Sequence, residues 1–301
     1  MTTRILAAFA IFSVGYVQGK ATSIPFRMLK NSILIEATVN DVSGYFILDT
    51  GTPYLVLNNH YFKGQPTGKK VIGLIGQEVD IYKKEVDLSM GNLKWFRVEA
   101  TLLPLNHLSQ AKGVTIMGLI GASVLKTYEL VIDLDNRKLE LVKANKASVA
   151  ERYGETPDAA FKFIWRGGIP VIKTMVGDET LLFGFDTGAG VNAIDKKKSE
   201  QLADHLTING EARVVGIGQG NQSMPSGSIH NVIIENYYCP EMRVVLAQMA
   251  RFRGFDNELN IVDGFFGYEF LKHFRTVVNF KKGTISLYHR DSLATAYIVA
   301  R

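Results

Sequence analysis

Cysteine is nearly missing from this chain: Cys239 stands alone among 301 residues. One thiol cannot close an intrachain disulfide, so the fold must stand on its apolar core. Cys239 has no partner motif, and Ser123, which follows Gly121, lacks the second glycine of a nucleophile elbow, so neither thiol nor serine nucleophilic chemistry is expected. Histidine is sparse as well. The six (His60, His107, His205, His230, His273, His289) are scattered with no His-x-x-x-His spacing, and no metal site is expected. Charge of one sign is also lacking, with 34 Lys and Arg against 29 Asp and Glu and a formal charge of +5. That balance argues for no nucleic-acid partner, and the one cluster, Lys196 to Lys198, reads as a solvated surface run. After residue 17 no apolar run is long enough for a membrane helix.

What is present supports two ordinary domains, with 47% hydrophobic and 21% charged residues. Residues 1–19 stand apart. Arg4 precedes the apolar stretch from Ile5 to Val17, and Val17-Gln18-Gly19 has the small-residue character of a cleavage site. The segment reads as a signal peptide, which makes the expected protein secreted or periplasmic, without a stable membrane span once the signal is removed. An uncleaved signal would anchor it to the membrane.

The most informative feature is a repeat. Asp49-Thr50-Gly51 and Asp186-Thr187-Gly188 each follow an apolar run and open into another. Met117-Gly118-Leu119-Ile120-Gly121 lies downstream of the first, and Asp263-Gly264-Phe265-Phe266-Gly267 downstream of the second. Arg97, Gly118 and Asp133 recur at one constant offset as Arg243, Gly264 and Asn279, so the repeat spans domains and indicates duplication. The second copy carries longer loops between its aspartate and its glycines.

Alternation over Ile33 to Val39, a turn at Asn40-Asp41 and a strand from Gly44 to Leu48 match Ile169 to Val176, the turn Gly177-Asp178 and the strand that follows. Helical signals are few: Ala122 to Thr127, Tyr268 to Phe274, and the amphipathic spacing from Lys196 to His205. The expected organisation is a signal peptide (1–19), an N-terminal half (20–146), a linker (147–160), a C-terminal half (161–290) and a tail (291–301), mainly all-β.

Two equivalent turns that meet at an axis between the halves bring two carboxyls together. Like charges that close cannot both ionise, and the pair then shares one proton, an effect for which aspartic proteases are the standard illustration. Such a pair activates water with one member and protonates a carbonyl oxygen with the other, needing no metal or other cofactor. Thr50 and Thr187 carry hydroxyls able to bond across the axis, and Gly51 and Gly188 allow backbone to approach the carboxylates. Thr52 stands where Ala189 stands in the second copy. A hydroxyl donor there favours the charged form of Asp49, so Asp49 is expected to ionise more readily and Asp186 to hold the proton. Pro53 beside Gly190 is a second asymmetry.

The hydrophobic-Asp-Thr-Gly turns, followed by Leu119-Ile120-Gly121 and Phe265-Phe266-Gly267, resemble the aspartic peptidase superfamily, and more narrowly bacterial retropepsin-like aspartyl proteases with two fused half-size domains. The resemblance covers roughly residues 30–143 and 165–289. It implies two acid-protease β-barrel half-domains related by a pseudo-twofold axis, Asp49 and Asp186 as the catalytic dyad, and hydrolysis of an extended peptide or protein substrate by a monomeric, intramolecular pseudo-dimer. It also implies hairpin flaps, for which the candidates are Gly73 and Gly76 in one half and Gly216 and Gly218 in the other. Two other readings stand beside the active endopeptidase. One is a catalytically silent peptide-binding protein of the same fold. The other is a precursor or regulator whose halves pair with another copy.

Overall fold

The computed structural model describes residues 21–72, 78–144, 155–215, 221–249 and 262–290. The expected signal peptide, the tail 291–301, most of the linker and the four candidate flap glycines Gly73, Gly76, Gly216 and Gly218 lie outside the described residues.

The first half runs β1 (Thr22–Leu29), β2 (Ser32–Val39), β3 (Val42–Leu48), β4 (Leu55–Asn58), β5 (Gln65–Ile72), β6 (Glu78–Met90) and β7 (Leu93–Leu103). It continues with α1 (Asn106–Lys112), β8 (Ile116–Ile120), α2 (Ala122–Leu125), β9 (Tyr128–Asp133) and β10 (Lys138–Lys143). The second half runs β11 (Ala159–Lys162), β12 (Ile164–Arg166), β13 (Ile169–Val176), β14 (Glu179–Phe185), β15 (Asn192–Asp195), β16 (Leu206–Val215), β17 (Asn221–Ile234) and β18 (Tyr237–Ala247). It ends with β19 (Gly264–Phe266), α3 (Tyr268–Leu271), β20 (Phe274–Asn279) and β21 (Thr284–His289). The chain is mainly β, arranged in two large sheets of 13 and 8 strands.

The hairpins expected from alternation form. β2 pairs with β3 antiparallel across Asn40-Asp41, both with positive φ, and β13 pairs with β14 across Gly177-Asp178. Such turns match the twist of the strands they join. Two elements differ from expectation. The stretch from Lys196 to His205 is not one helix but two 3₁₀ turns, Lys196–Lys198 and Ala203–His205. Leu202 alone is buried in it, so one anchor, not a stripe, is available to hold a helix. β11 begins at Ala159, inside the expected linker, because Ala159 and Phe161 bury their side chains where the strand pairs with β21.

The larger sheet joins the halves. β11, β20 and β21 of the second half continue into β9, β10 and β1 of the first. At the seam Val131 pairs with Val277 and Ile132 with Thr276, antiparallel. Val131 and Val277 occupy equivalent places in the sequence repeat, so the seam is built from one strand and its own counterpart. The main core cluster runs through it, containing Phe46, Leu130 and Leu139 from one half and Phe183, Val278 and Phe280 from the other, and a small one of Val131, Val277 and Tyr288 covers the seam itself. Two further clusters, one around Ile47, Leu108 and Leu119 and one around Val245, Ala247 and Phe265, take their buried residues from one half each, and Val215 of the second half packs against the former.

Candidate active site

Each aspartate is delivered by two strands and a short helix. β3 runs parallel to β8, and β14 parallel to β19, so the strand that leads into the aspartate lies beside the strand that carries two apolar residues and a glycine. Past the strand ends the pairing continues: Asp49 N–H donates to the Ile120 carbonyl at 3.0 Å and Asp186 N–H to Phe266 at 2.9 Å. The far side of each turn is held by the next helix. Ala122 N–H donates to the Thr52 carbonyl and Tyr268 N–H to the Ala189 carbonyl, both at 2.8 Å. This closeness explains the glycine that ends the motif. A Cβ at Gly121 would stand 1.9 Å from the Tyr54 carbonyl oxygen, and one at Gly267 would stand 2.4 Å from that of Val191.

The two turns are locked together reciprocally. Thr50 N–H donates to Thr187 Oγ1 at 3.1 Å and Thr187 N–H to Thr50 Oγ1 at 3.0 Å. Each hydroxyl then donates across to the strand before the other aspartate, Thr50 to the Phe185 carbonyl at 2.7 Å and Thr187 to Leu48 at 2.9 Å. Both threonines are buried, so these four bonds replace water that is not available there. The lock draws each carboxyl over the other half's glycine. A Cβ at Gly51 would lie 2.3 Å from Asp186 Cγ, and one at Gly188 would lie 2.5 Å from Asp49 Cγ. Only glycine fits either place.

The carboxyls of Asp49 and Asp186, each set against the other half's glycine, interact with each other. Burial raises both above the ordinary carboxylate range, but their surroundings are unequal. Asp49 is pushed up by burial and then by the charge of Asp186, against bonds from the Thr52 hydroxyl and the Thr52 backbone N–H. Its Oδ1 is sealed from solvent without a partner. Asp186 is pushed up by burial, but N–H groups of Gly188, Ala189 and Gly51, together with the bond from Asp49, hold its charged form. Two of these are recorded at its Oδ1, from Gly188 at 2.8 Å and from Ala189 at 3.1 Å. The donors are therefore distributed the other way round from the expectation drawn from Thr52. Thr52 does stand beside Asp49 as expected, donating from its hydroxyl and its backbone N–H, yet the N–H groups of three residues, Gly188, Ala189 and Gly51, converge on Asp186. Both carboxyls are raised, and these donors favour the charged form of Asp186.

The neighbouring turns account for the second asymmetry. Asn31, at the β1–β2 turn, donates from Nδ2 to the Gly190 carbonyl at 3.2 Å, while the corresponding Gly167-Gly168 turn lies against Pro53. Where one half has a side chain in the turn it faces glycine, and where it has glycine it faces proline. The sequence reading also passed over Asn192. It is fully buried, accepts from Gly267 N–H at 2.8 Å and donates to the Arg243 carbonyl at 2.9 Å, bracing the turn of the second half. The available signal is an asparagine inside the apolar run Val191 to Ile194 that follows the second aspartate turn.

A cleft of about 380 Å³ opens over the two aspartates, lined by Thr52 and Ile47 from one half and by Ala189, Met224, Val245 and Phe265 from the other. Val214 and Val215 of β16 and Met224 of β17, strands on either side of residues 216–220, also face it. Among the described residues no group of three or more His, Cys, Asp or Glu is arranged to hold a metal ion. No helix among them is long and apolar enough to cross a membrane. Compared with models of known protein families and with curated proteins, the chain matches none.

Proposed function

We propose that this chain is an aspartic endopeptidase with a retropepsin-like architecture, its two half-domains related by a pseudo-twofold axis and its dyad formed by Asp49 and Asp186. The observation that carries the reading is the reciprocal hydrogen bonding of Thr50 and Thr187, which sets the two carboxyls in contact at the floor of an open cleft. A purely structural role explains poorly why two acids should be buried against each other, since neither can ionise freely and burial of the pair costs stability. Proton sharing explains it.

In this mechanism the Asp186 carboxylate takes a proton from a water between the carboxyls as that water attacks the peptide carbonyl carbon. Asp49 gives its proton to the carbonyl oxygen, and a gem-diol forms. In the breakdown Asp186 gives its proton to the leaving nitrogen while Asp49 takes one from a gem-diol hydroxyl, the C–N bond breaks as the carbonyl reforms, and the shared-proton state is restored. Apolar walls around the pair strengthen each of these interactions by excluding bulk water. The substrate is an extended peptide or protein segment held by the cleft. The β16–β17 hairpin, whose stem residues face the cleft, is the flap candidate of the second half. We read the mature protein as a secreted or periplasmic monomer, or a membrane-anchored one if its signal is retained.

A peptide-library digest over about pH 3 to 7, the span of a coupled carboxyl pair, tests this directly. Wild-type protein should cleave, and Asp49→Asn and Asp186→Asn should each lose at least about 1,000-fold in kcat/KM with circular dichroism unchanged. Activity surviving either substitution contradicts the dyad. A folded wild-type protein that binds peptides without cleaving them supports the silent binding protein instead.

A further inference from the structure

The cleft over the aspartates is charged in a way that the dyad chemistry does not require. Lys30, Lys112 and Arg213 line it, and the only carboxylates among its described lining residues are Asp49 and Asp186. With one proton shared, the dyad carries a single negative charge against three cations. None of the three forms an ion pair among the described residues. Lys30 and Lys112 neighbour each other, and the acid nearest Arg213 along β16, Glu211, accepts from Ser223 Oγ instead of pairing with it.

The three sit on facing walls. Lys30 and Lys112 come from the first half, where they interlock the β1–β2 turn with the end of α1: Lys112 Nζ donates to the Lys30 carbonyl at 2.8 Å and to Ser32 Oγ at 2.6 Å, and Lys30 Nζ donates to the Ala111 carbonyl. Arg213 comes from β16 of the second half and is exposed. Their roles differ. Lys112 has its donors engaged by protein oxygens, so it contributes charge without direct contact. Burial and then the neighbouring Lys30 bring its pKa down to about 8, which leaves it protonated over acidic and neutral pH. Lys30 has donors to spare, and the free guanidinium of Arg213 presents the planar fork that matches a carboxylate. The same cleft is lined by apolar residues of both halves, Leu108 and Leu119 from the first and Val245 and Phe265 from the second.

We infer that this cleft selects peptides carrying a carboxylate close to a large apolar residue, with Arg213 and Lys30 receiving the carboxylate and the apolar side chain filling the space between the halves. This rests on the endopeptidase reading for its readout but not for its physics, because the cations attract an anionic peptide whether or not it is cut. The carboxylate is met either on an Asp or Glu side chain or at a peptide C-terminus.

The test uses matched peptides that share one apolar residue and differ at one nearby position, Glu against Gln, each with a free or an amidated C-terminus. Wild-type kcat/KM should favour Glu over Gln by about tenfold at low salt, as expected for two partly solvated cations, and the ratio should shrink toward one at high salt. The Arg213→Gln, Lys30→Gln double substitution should bring the ratio to about one, and Arg213→Glu should turn the preference toward a Lys peptide. A preference that follows the free C-terminus instead of Glu assigns the cations to a chain end. Equal cleavage of all peptides by wild-type protein, or a ratio unmoved by the double substitution, overturns the inference while leaving the protease reading intact. The Asp49→Asn, Asp186→Asn protein separates the two failures by fluorescence anisotropy. Tighter binding of the Glu peptide with no cleavage by wild-type protein supports the charge selection and removes the protease reading, whereas equal binding overturns the selection.

Discussion

At the residue scale, Asp49 is the proton holder of the proposed dyad, and its raised pKa has a measurable sign. Its pKa is raised well above the ordinary value by burial first and by the Asp186 charge second. A folded state that holds a proton more tightly than the unfolded chain gains from it fully below the ordinary carboxylate pKa, and loses that gain as pH rises through the raised value. Wild-type protein should therefore lose stability from acidic toward neutral pH through this group. Asp49→Asn, which cannot ionise, should not. The melting temperature of the variant minus that of the wild type should grow between about pH 4, the ordinary Asp value, and neutrality. A difference that stays constant with pH would contradict the assignment. Much at this scale is legible in the sequence, because a repeat makes each member of the pair a control for the other: Asp49 with Asp186, Thr50 with Thr187, Gly51 with Gly188. Which aspartate holds the proton is not legible. It depends on where backbone N–H groups of Gly188, Ala189 and Gly51 point, and every residue type carries that donor.

At the scale of elements, the turns that flank the dyad are matched pairs. Gly168 has φ +78° and a Cβ there would lie 2.7 Å from Pro53 Cβ, so Gly168→Ala combines backbone strain with a clash. It should cost about 1–3 kcal/mol in urea denaturation. In a double-mutant cycle Pro53→Gly should recover the contact part and leave the strain, so the two changes should be coupled. Additive effects would show that the turns do not meet. The hairpins were readable because alternation and turn residues agree, as at Asn40-Asp41. β1 was not, since Pro25 sits within it. The strand changes partner there, pairing with β10 through Pro25 and with β2 from Phe26, so the missing N–H falls where the ladder switches. α1 escaped notice because only Leu108 of its residues is buried, which leaves no periodic stripe to read. The same lack of a stripe, disguised by favourable spacing, made Lys196 to His205 look like one helix.

For the whole molecule, duplication matters because it brings equivalent parts face to face twice, at the β9–β20 seam and at the threonine lock. The seam fixes the halves through a continuous sheet and core, and the lock turns that fixed geometry into contact between two acids. The constant offset in the sequence made the duplication visible, but it could not reveal that Val131 would pair with its own counterpart Val277, because long-range register is set by tertiary packing. The cationic cleft was hidden for a related reason: Lys30, Lys112 and Arg213 are far apart in the chain and belong to no motif. The most direct measurement of the central claim is a ¹³C carboxyl NMR titration of aspartate-labelled protein, with Asp49→Asn and Asp186→Asn to assign the signals. Two linked steps are expected, with Asp49 titrating last and well above the ordinary carboxylate range and each resonance sensing the other's ionisation. Two independent titrations at ordinary carboxylate values would mean that the carboxyls share no proton, and would contradict the account.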